Sequence, residues 1–389
     1  MKKNTTTKKS AEVNTNTQSE RIIEMSAMQK LTVGLDLGDR SSRYCILDES
    51  GKVVSTGATP TTRAGMEEPF GKMAGSRIAM EAGTHSAWVS RLLGSLGHEA
   101  IVANAHEVKL ITRSKKKNDR VDAEKLARLA RVDPELLSPI RHRGAEAQAD
   151  LAVIRARDQL VESRTALINC ARGLVKPFGE RLKKCDADGV GESTAEGLST
   201  EAREAIEPLL KAVEEISLQI GEYDRRIGEI AKRYPEVKLL TEVYGVGQLV
   251  GLTFILTIDD PKRFTHSRDV GPYLGLTRRQ KDSGDSEPDL RITKAGDGLT
   301  RKLLVQAAHC ILRKGAPDSD LRVWGEEKID NSAKGGKKRK KRAVVAVARK
   351  LAVLLHHLWV NGEVYDPLYQ RKAEAAAKRK RERAGKVAA

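Results

Sequence analysis

"LTVGLDLG" (residues 31–38) is an apolar run broken by one acid, Asp36, and closed by a glycine. Apolar runs this short, bounded by turn residues, favour strands over helices. Working forward, "SRYCILDES" (42–50) and, after Gly51, "KVVSTG" (52–57) repeat the pattern across Gly/Asp/Ser turns. Three strands so joined begin an antiparallel meander. "RIAMEAG" (77–83) is a fourth strand ending at Glu81, and "HEAIVAN" (98–104) is a fifth. Between them "HSAWVSRLLGSLG" (85–97) has helical spacing and stops at a glycine. "NDRVDAEKLARLARV" (118–132) predicts a further helix with Val121, Leu126, Leu129 and Ala130 on its apolar side. The order is that of an α/β domain on a mixed sheet.

Residues 146–235 change character to long, charged helices. From Ile206 the apolar positions run Leu209, Val213, Ile216, Ile220, Tyr223, Ile227 and Ile230, in alternating steps of three and four. That is a heptad seam. Leu151 to Leu174 repeats it less cleanly, and "DADGVGESTAEGLST" (186–200) reads as the loop between two antiparallel coiled-coil helices. The seam closes either within one chain or between chains. Next, "LLTEVYGVGQLVGLTFILTI" (239–258) is apolar helix, Gly-Val-Gly, apolar helix. It is either a plain helical turn or a helix-hairpin-helix, whose backbone N–H groups at Gly245 and Gly247 meet phosphate. A basic loop then leads to a helix from about Thr300. The chain closes with "KGGKKRKKR" (334–342), an apolar helix and a basic tail.

Five segments follow: a disordered basic arm (1–30), an α/β domain (31–145), a coiled-coil region (146–235), a mainly helical domain (236–330) and a basic segment with helix and tail (331–389).

Among 389 residues, 39% are hydrophobic but only 4% aromatic, so the cores are aliphatic. The net charge of +17 calls for a polyanionic partner, and nucleic acid is the first candidate. Lys337, Lys338 and Arg339 belong to a run that is either a solvated arm or a phosphate contact of little sequence specificity. No apolar run approaches the roughly 20 residues that span a bilayer, and "MKKNTTTKKSAEVNTNTQSE" (1–20) lacks the apolar region of a signal peptide. The four cysteines are scattered, without metal-ligand spacing, which suits a reducing cytoplasm.

Four acids stand out. Asp36 sits within a strand expected to be buried, where a lone carboxylate is costly without a cation or metal. Glu81 ends a strand that, as a sheet neighbour, comes close to Asp36. Asp119 and Asp122 are three apart at a helix start and share a face. Singly, each has an ordinary reading as a cap, turn or flank residue. Together they compose a pocket for two divalent ions about 3.5–4 Å apart, and oxygen ligands favour Mg²⁺ or Mn²⁺ over zinc. "KDSGDSE" (281–287) is an ordinary surface turn on its own, with Ser283 and Ser286 as hydroxyls in a basic stretch.

The motifs "VGLDLG", "MEAG", "KNDRVDAEKLARL", "GVG", "YLGLTRRQKDSG", "RITKAGDGLTRKLL" and "ARKLAVLL…GEVYDP" occur in that order from Leu31 to Pro367. The chain resembles the IS-one-ten family of DEDD transposases, which includes the Piv-like DNA invertases. The resemblance implies a RuvC-like, RNase H-type domain, coiled-coil helices and a C-terminal transposase domain. It implies an enzyme that recombines donor and target DNA in the bacterial cytoplasm, at the nucleoid, guided by a structured bridge RNA. It puts the catalytic and metal-holding acids on Asp36, Glu81, Asp119 and Asp122, and the nucleophile on Ser283 rather than Ser286. Family members often carry Ser-Ser-Gly there, whereas this chain has Asp282-Ser283-Gly284. Arg278, Arg279, Arg291 and Lys294 are then candidates for phosphate contacts. The resemblance further implies assembly as a dimer or tetramer. Two rivals remain: a RuvC-like nuclease that activates water, and an inactive nucleic-acid-binding protein.

Overall fold

The structure, a computed structural model, describes residues 22–104, 119–280, 290–330 and 336–373. They form two compact units, one ending at His142 and one beginning at Arg143.

The first unit is built on five strands, β1 (Thr32–Asp36), β2 (Ser41–Leu47), β3 (Val53–Pro60), β4 (Arg77–Glu81) and β5 (Glu99–Ala103). Their order in the sheet is β3-β2-β1-β4-β5. β1 pairs antiparallel with β2 and parallel with β4, and β4 pairs parallel with β5. The sheet is therefore mixed, and the unit is RNase H-like. The apolar alternation explains the layers. Val33, Leu35, Ile78 and Met80 point to one face, under α1 (Arg63–Phe70) and α2 (Ser86–Ser95). Ala79, Ile101 and Cys45 point to the other, under α3 (Asp119–Val132). Helix α3 presents Ala123, Leu126, Ala127 and Ala130 to the sheet, while Val121 is 38% exposed and Leu129 partly so. The expected face was right at Leu126 and Ala130. The α3 backbone comes close to β1 at Ala123 and Ala127, where small side chains fit, and Val121 lies off that face. Helix α1 was not anticipated: Thr62 caps it by accepting from Gly65 N, and Pro69 inside it masks the helical signal.

The second unit is helical. α4 (Ala145–Leu174) and α5 (Thr200–Lys232) form an antiparallel hairpin within one chain. At its tip Ile168, Ala171 and Val175 meet Ile206, Leu210 and Val213, and the connecting loop folds back to add Val190 and Ala195. At its base Leu151 and Ile154 meet Ile227 and Ile230. Most of the expected seam is thus buried, but Leu210 takes the place foreseen for Leu209, and Ile216 and Tyr223 are only half-buried. Between base and tip the helices are tied by polar bonds: Arg157 Nε donates to Asp224 at 2.8 Å, and buried Arg164 donates to Ser217 Oγ at 3.2 Å and to Asp188 of the connecting loop at 2.5 Å.

The hairpin's base shares one core with α6 (Glu236–Thr241), α7 (Gln248–Ile258), α8 (Gly298–Ile311), α9 (Asp320–Asp330) and α10 (Gly336–Asn361). Helix α10 has the length and hydropathy of a membrane span, yet Val344, Val347, Ala348, Leu351 and Leu355 are buried in that core.

Candidate functional site

Strand register sets the first pair of acids. Leu35 lies opposite Met80 in the parallel β1–β4 pair, so the next step brings Asp36 beside Glu81. Both are half-buried strand-end residues, and with Asp39, Thr84 and His85 they line a cleft of about 200 Å³. Asp36 is the last residue of β1 rather than an acid in mid-strand, because the chain turns at Gly38. A Cβ at Gly38 would lie 2.3 Å from the Ser41 carbonyl oxygen, so only glycine fits the bend. Thr61 Oγ1 fixes that bend, donating to the Gly38 carbonyl at 2.9 Å and lying 2.8 Å from Ser42 Oγ.

Helix α3 carries the other two acids. Gly34 lets it approach: a Cβ there would meet the Ala123 carbonyl oxygen at 1.9 Å and Ala127 N at 2.5 Å. Asp122 is half-buried, with Lys125 Nζ 3.8 Å from Oδ1, and is not among the residues lining the cleft. Asp119 opens the helix, and its side chain lies outside the described residues. Among the described residues, no three His, Cys, Asp or Glu side chains gather for a metal ion. The paired Asp36 and Glu81 nevertheless suit one hydrated divalent cation, which takes one or two carboxylates and completes its shell with water and phosphate. The residues fit such an ion.

Ser283 falls in 281–289, outside the described residues. The segments on either side of it are paired as a hairpin stem. Arg278 bridges Ile292, Arg279 N donates to the Arg291 carbonyl at 3.0 Å, and Thr293 N donates to the Thr277 carbonyl at 2.8 Å. Arg278, Arg279, Arg291 and Lys294 are all exposed along this stem. Its foot is closed by Gly275 (φ +67°) and Gly296 (φ +73°), whose missing Cβ atoms make room for the Ala295 and Tyr273 carbonyl oxygens at 2.2 and 2.0 Å. Arg301 Nη1 bonds the Leu274 and Ala295 carbonyls at 2.9 Å each. Asp297 caps α8, accepting from Thr300 N at 2.8 Å and from Arg155 at 2.6 Å. Burial raises its carboxyl pKa, but the Thr300 and Arg155 hydrogen bonds outweigh that and hold it below the ordinary carboxylate value.

Gly245 turns the chain between α6 and α7 at φ +87°, with the Ala307 carbonyl 2.9 Å from where its Cβ would be. That contact accounts for this glycine by packing. Gly247 is exposed and open, at the N-terminus of α7. Arg339 lines a groove between α9 and α10 with Lys328 and Arg342, and its Nη1 is buried without a hydrogen-bond partner. Lys337 and Lys338 are in the first turn of α10, and their side chains lie outside the described residues.

Residues the sequence reading passed over are Asp39, Thr84 and His85 in the cleft, and Asp297, Arg155 and Arg301 around the stem. The first three were within reach, since "GTHS" (83–86) directly follows a strand that ends at an acid. The Arg155–Asp297 contact spans 142 positions and leaves no local trace.

Comparison with known proteins agrees along most of the chain. Residues 33–178 match the DEDD transposase domain of the IS110 type, and residues 237–323 match the family described as Transposase IS116/IS110/IS902. The chain is 28% identical to the transposase for insertion sequence element IS1111A of Coxiella burnetii, over 86% of its own length and 90% of that protein's. It is 26% identical to a probable family 20 transposase of Pseudomonas aeruginosa, covering 75% of this chain and 86% of the other. It is also 26% identical to the transposase for element IS1328 of Yersinia enterocolitica, over 61% of this chain and 71% of that one.

Proposed function

The chain belongs to the IS110/IS116/IS902 family of insertion-sequence transposases, enzymes of phosphoryl transfer on DNA, and from this premise we propose that it cuts and rejoins strands through a phosphoserine on Ser283. The observation that carries the proposal is the cleft where Asp36 and Glu81 meet at the ends of neighbouring parallel strands. In a RuvC-like arrangement these two, with Asp119 and Asp122, would hold Mg²⁺ or Mn²⁺. When bound, such ions neutralise charge on the phosphate and on the departing oxygen. The chain's own groups do the rest. Ser283 Oγ loses its proton to solvent and attacks the scissile phosphorus, the P–O bond to the departing strand breaks as that oxygen takes up a proton, and the phosphoserine keeps the bond energy for religation. Arg278, Arg279, Arg291 and Lys294 hold the flanking phosphates as hydrogen-bond donors and cations. Gly245, Gly247, Lys337, Lys338 and Arg339 add non-specific backbone contacts.

Target choice is assigned to a bridge-type non-coding RNA paired with donor and target DNA, in a homo-oligomer working on the bacterial nucleoid. The +17 charge supports a polyanionic partner of this size.

The test is single-turnover cleavage of the element's own DNA end, by protein purified with the transcript of its flanking non-coding DNA. Ser283→Ala is expected to lose both strand exchange and the covalent protein–DNA adduct while still binding DNA. Cleavage by Ser283→Ala at the wild-type rate with no covalent adduct would make water the nucleophile, and with an adduct would move the role to Ser286. RNase treatment is expected to abolish site choice, and site-specific recombination by RNA-free protein would remove the guide from this reading.

A further inference from the structure

We propose that His85 contacts the scissile phosphate, donating its Nε2–H to a non-bridging oxygen, and that Trp88 holds the ring in the tautomer that does so. The inference rests on the reading above, in which the cleft of Asp36 and Glu81 is where the phosphate is attacked.

The cleft has a charge problem. Asp36, Asp39 and Glu81 all line it, and a phosphodiester entering it is itself an anion. A divalent ion offsets part of the repulsion, but the phosphate oxygens facing away from the ion still need donors. Among the described residues that line the cleft, His85 is the side chain with an N–H, and the Thr84 hydroxyl is the other donor.

The tautomer follows from the partner. Trp88 Nε1 lies 3.1 Å from His85 Nδ1. An indole nitrogen can only donate, so Nδ1 accepts and carries no hydrogen. The neutral ring must then bear its proton on Nε2. That atom is 3.4 Å from Asp39 Oδ1, a long contact to a side chain that is 92% exposed. A hydrated carboxylate at that distance holds the N–H weakly, and a phosphate oxygen can replace it.

The ring is also well placed to keep its aim. It packs edge-on against Trp88, centroids 6.2 Å apart at 89°. The turn that carries it is tied by Ser86, whose Oγ accepts from Gly83 N at 2.9 Å, bonds the Gly83 carbonyl at 2.8 Å and meets His142 Nε2 at 2.9 Å. His85 is therefore a pre-oriented donor rather than a loop side chain waiting for order, which is the arrangement electrostatic catalysis requires.

The experiment is single-turnover cleavage by the full chain with its RNA, on element-end DNA carrying a phosphorothioate of defined stereochemistry at the scissile position. His85→Ala should slow cleavage about tenfold to a hundredfold with DNA binding unchanged. His85→Gln, which retains an N–H near the Nε2 position, should recover much of the rate. Trp88→Phe removes the tautomer lock and should cost a few-fold. In wild type, sulfur at one non-bridging position should slow the reaction even in Mn²⁺, since sulfur is a poor hydrogen-bond acceptor. In His85→Ala that sulfur effect should vanish, a change that a purely structural role would not produce. Wild-type cleavage by His85→Ala beside an inactive Asp36→Asn would overturn the role of His85 while leaving the cleft as the site. Full activity of Asp36→Asn would overturn both. Equal losses for Ala and Gln with the sulfur effect intact would reduce the ring to a packing element.

Discussion

The acid-bearing strand ends of the sheet and the arginine-bearing stem of the helical unit are held by opposite means. In the sheet, Asp36 and Glu81 are placed by strand register, and α3 is seated against them by the absence of one side chain, at Gly34. Backbone packs on backbone there, and the acids follow from the geometry of the sheet. In the stem, Arg279 and Arg291 sit on two short segments joined by a few cross-strand hydrogen bonds. What fixes the stem is its foot, where Gly275 and Gly296 take left-handed conformations and let carbonyl groups fill the space of a side chain. One site is rigid because its whole layer is packed, the other because two turns are locked. A site that holds metal needs the first kind of precision, and a strand-presenting element can work with the second.

The sharpest way to break that comparison is to fill each gap. Gly34→Val drives a side chain into the Ala123 carbonyl, at 1.9 Å from the first added carbon, and α3 must lift from the sheet. A cost of roughly 3–5 kcal/mol is expected, at the upper end for overpacking because the obstacle is backbone. Urea unfolding should show the first unit melting early, with cleavage lost. Gly275→Val also adds strain at φ +67°, but its damage should stay in the stem. Amide exchange should speed up at Arg279 and Thr293 while the urea midpoint moves less than in Gly34→Val. Equal global losses in the two variants would mean that the stem is as integral to its unit as the sheet layer is.

The two regions also differed in how far the sequence disclosed them. β1, β4 and β5 were legible because short apolar runs bounded by turn residues are local signals, and the closeness of Asp36 and Glu81 followed from taking their strands as sheet neighbours. The extent of β1 was misjudged, since the Gly38 bend that ends it depends on the Ser41 carbonyl and Thr61. The face of α3 was misread at Val121 for a similar reason: how closely a helix sits on a sheet depends on a glycine in another element. In the helical unit the heptad steps announced two antiparallel helices, but not that their seam closes within one chain. The stem was invisible, because Gly275 and Gly296 look like any loop glycines and the contacts that clamp them span long stretches of chain. The four acids stood out together by residue type and spacing, whereas Ser283 was singled out over Ser286 only through family resemblance.

A smaller effect is expected at Asp297, which joins the stem to α8. Asp297→Ala removes the cap, the Thr300 bonds and the Arg155 partner, and should cost about 2 kcal/mol at neutral pH. The pH dependence has a definite sign. The folded carboxyl is held below its unfolded value of about 3.9, so its contribution is present above that pH and is lost as pH falls through the folded value. The gap between wild type and Asp297→Ala in urea midpoint should therefore narrow on acidification below about pH 4. A gap independent of pH across that range would leave the Arg155 and Thr300 contacts without a stabilising role.

The smallest change concerns the stem's cations, and it separates scaffolding from contact. Arg279 and Arg291 are exposed and lie on adjacent paired segments, so truncating them leaves the stem's backbone bonds in place. Stability should be unchanged within error. If each neutralises one phosphate, log K against log salt should flatten by about 0.9 for each arginine removed, close to 2 for the double alanine variant. The loss of affinity should be similar across DNA sequences, because phosphate contacts carry no base information. An unchanged slope would take the stem out of the DNA interface, and the exposed arginines would then be ordinary surface charge. A flattened slope with normal folding would instead tie the segment that carries Ser283 to the DNA backbone, by way of the stem beside it.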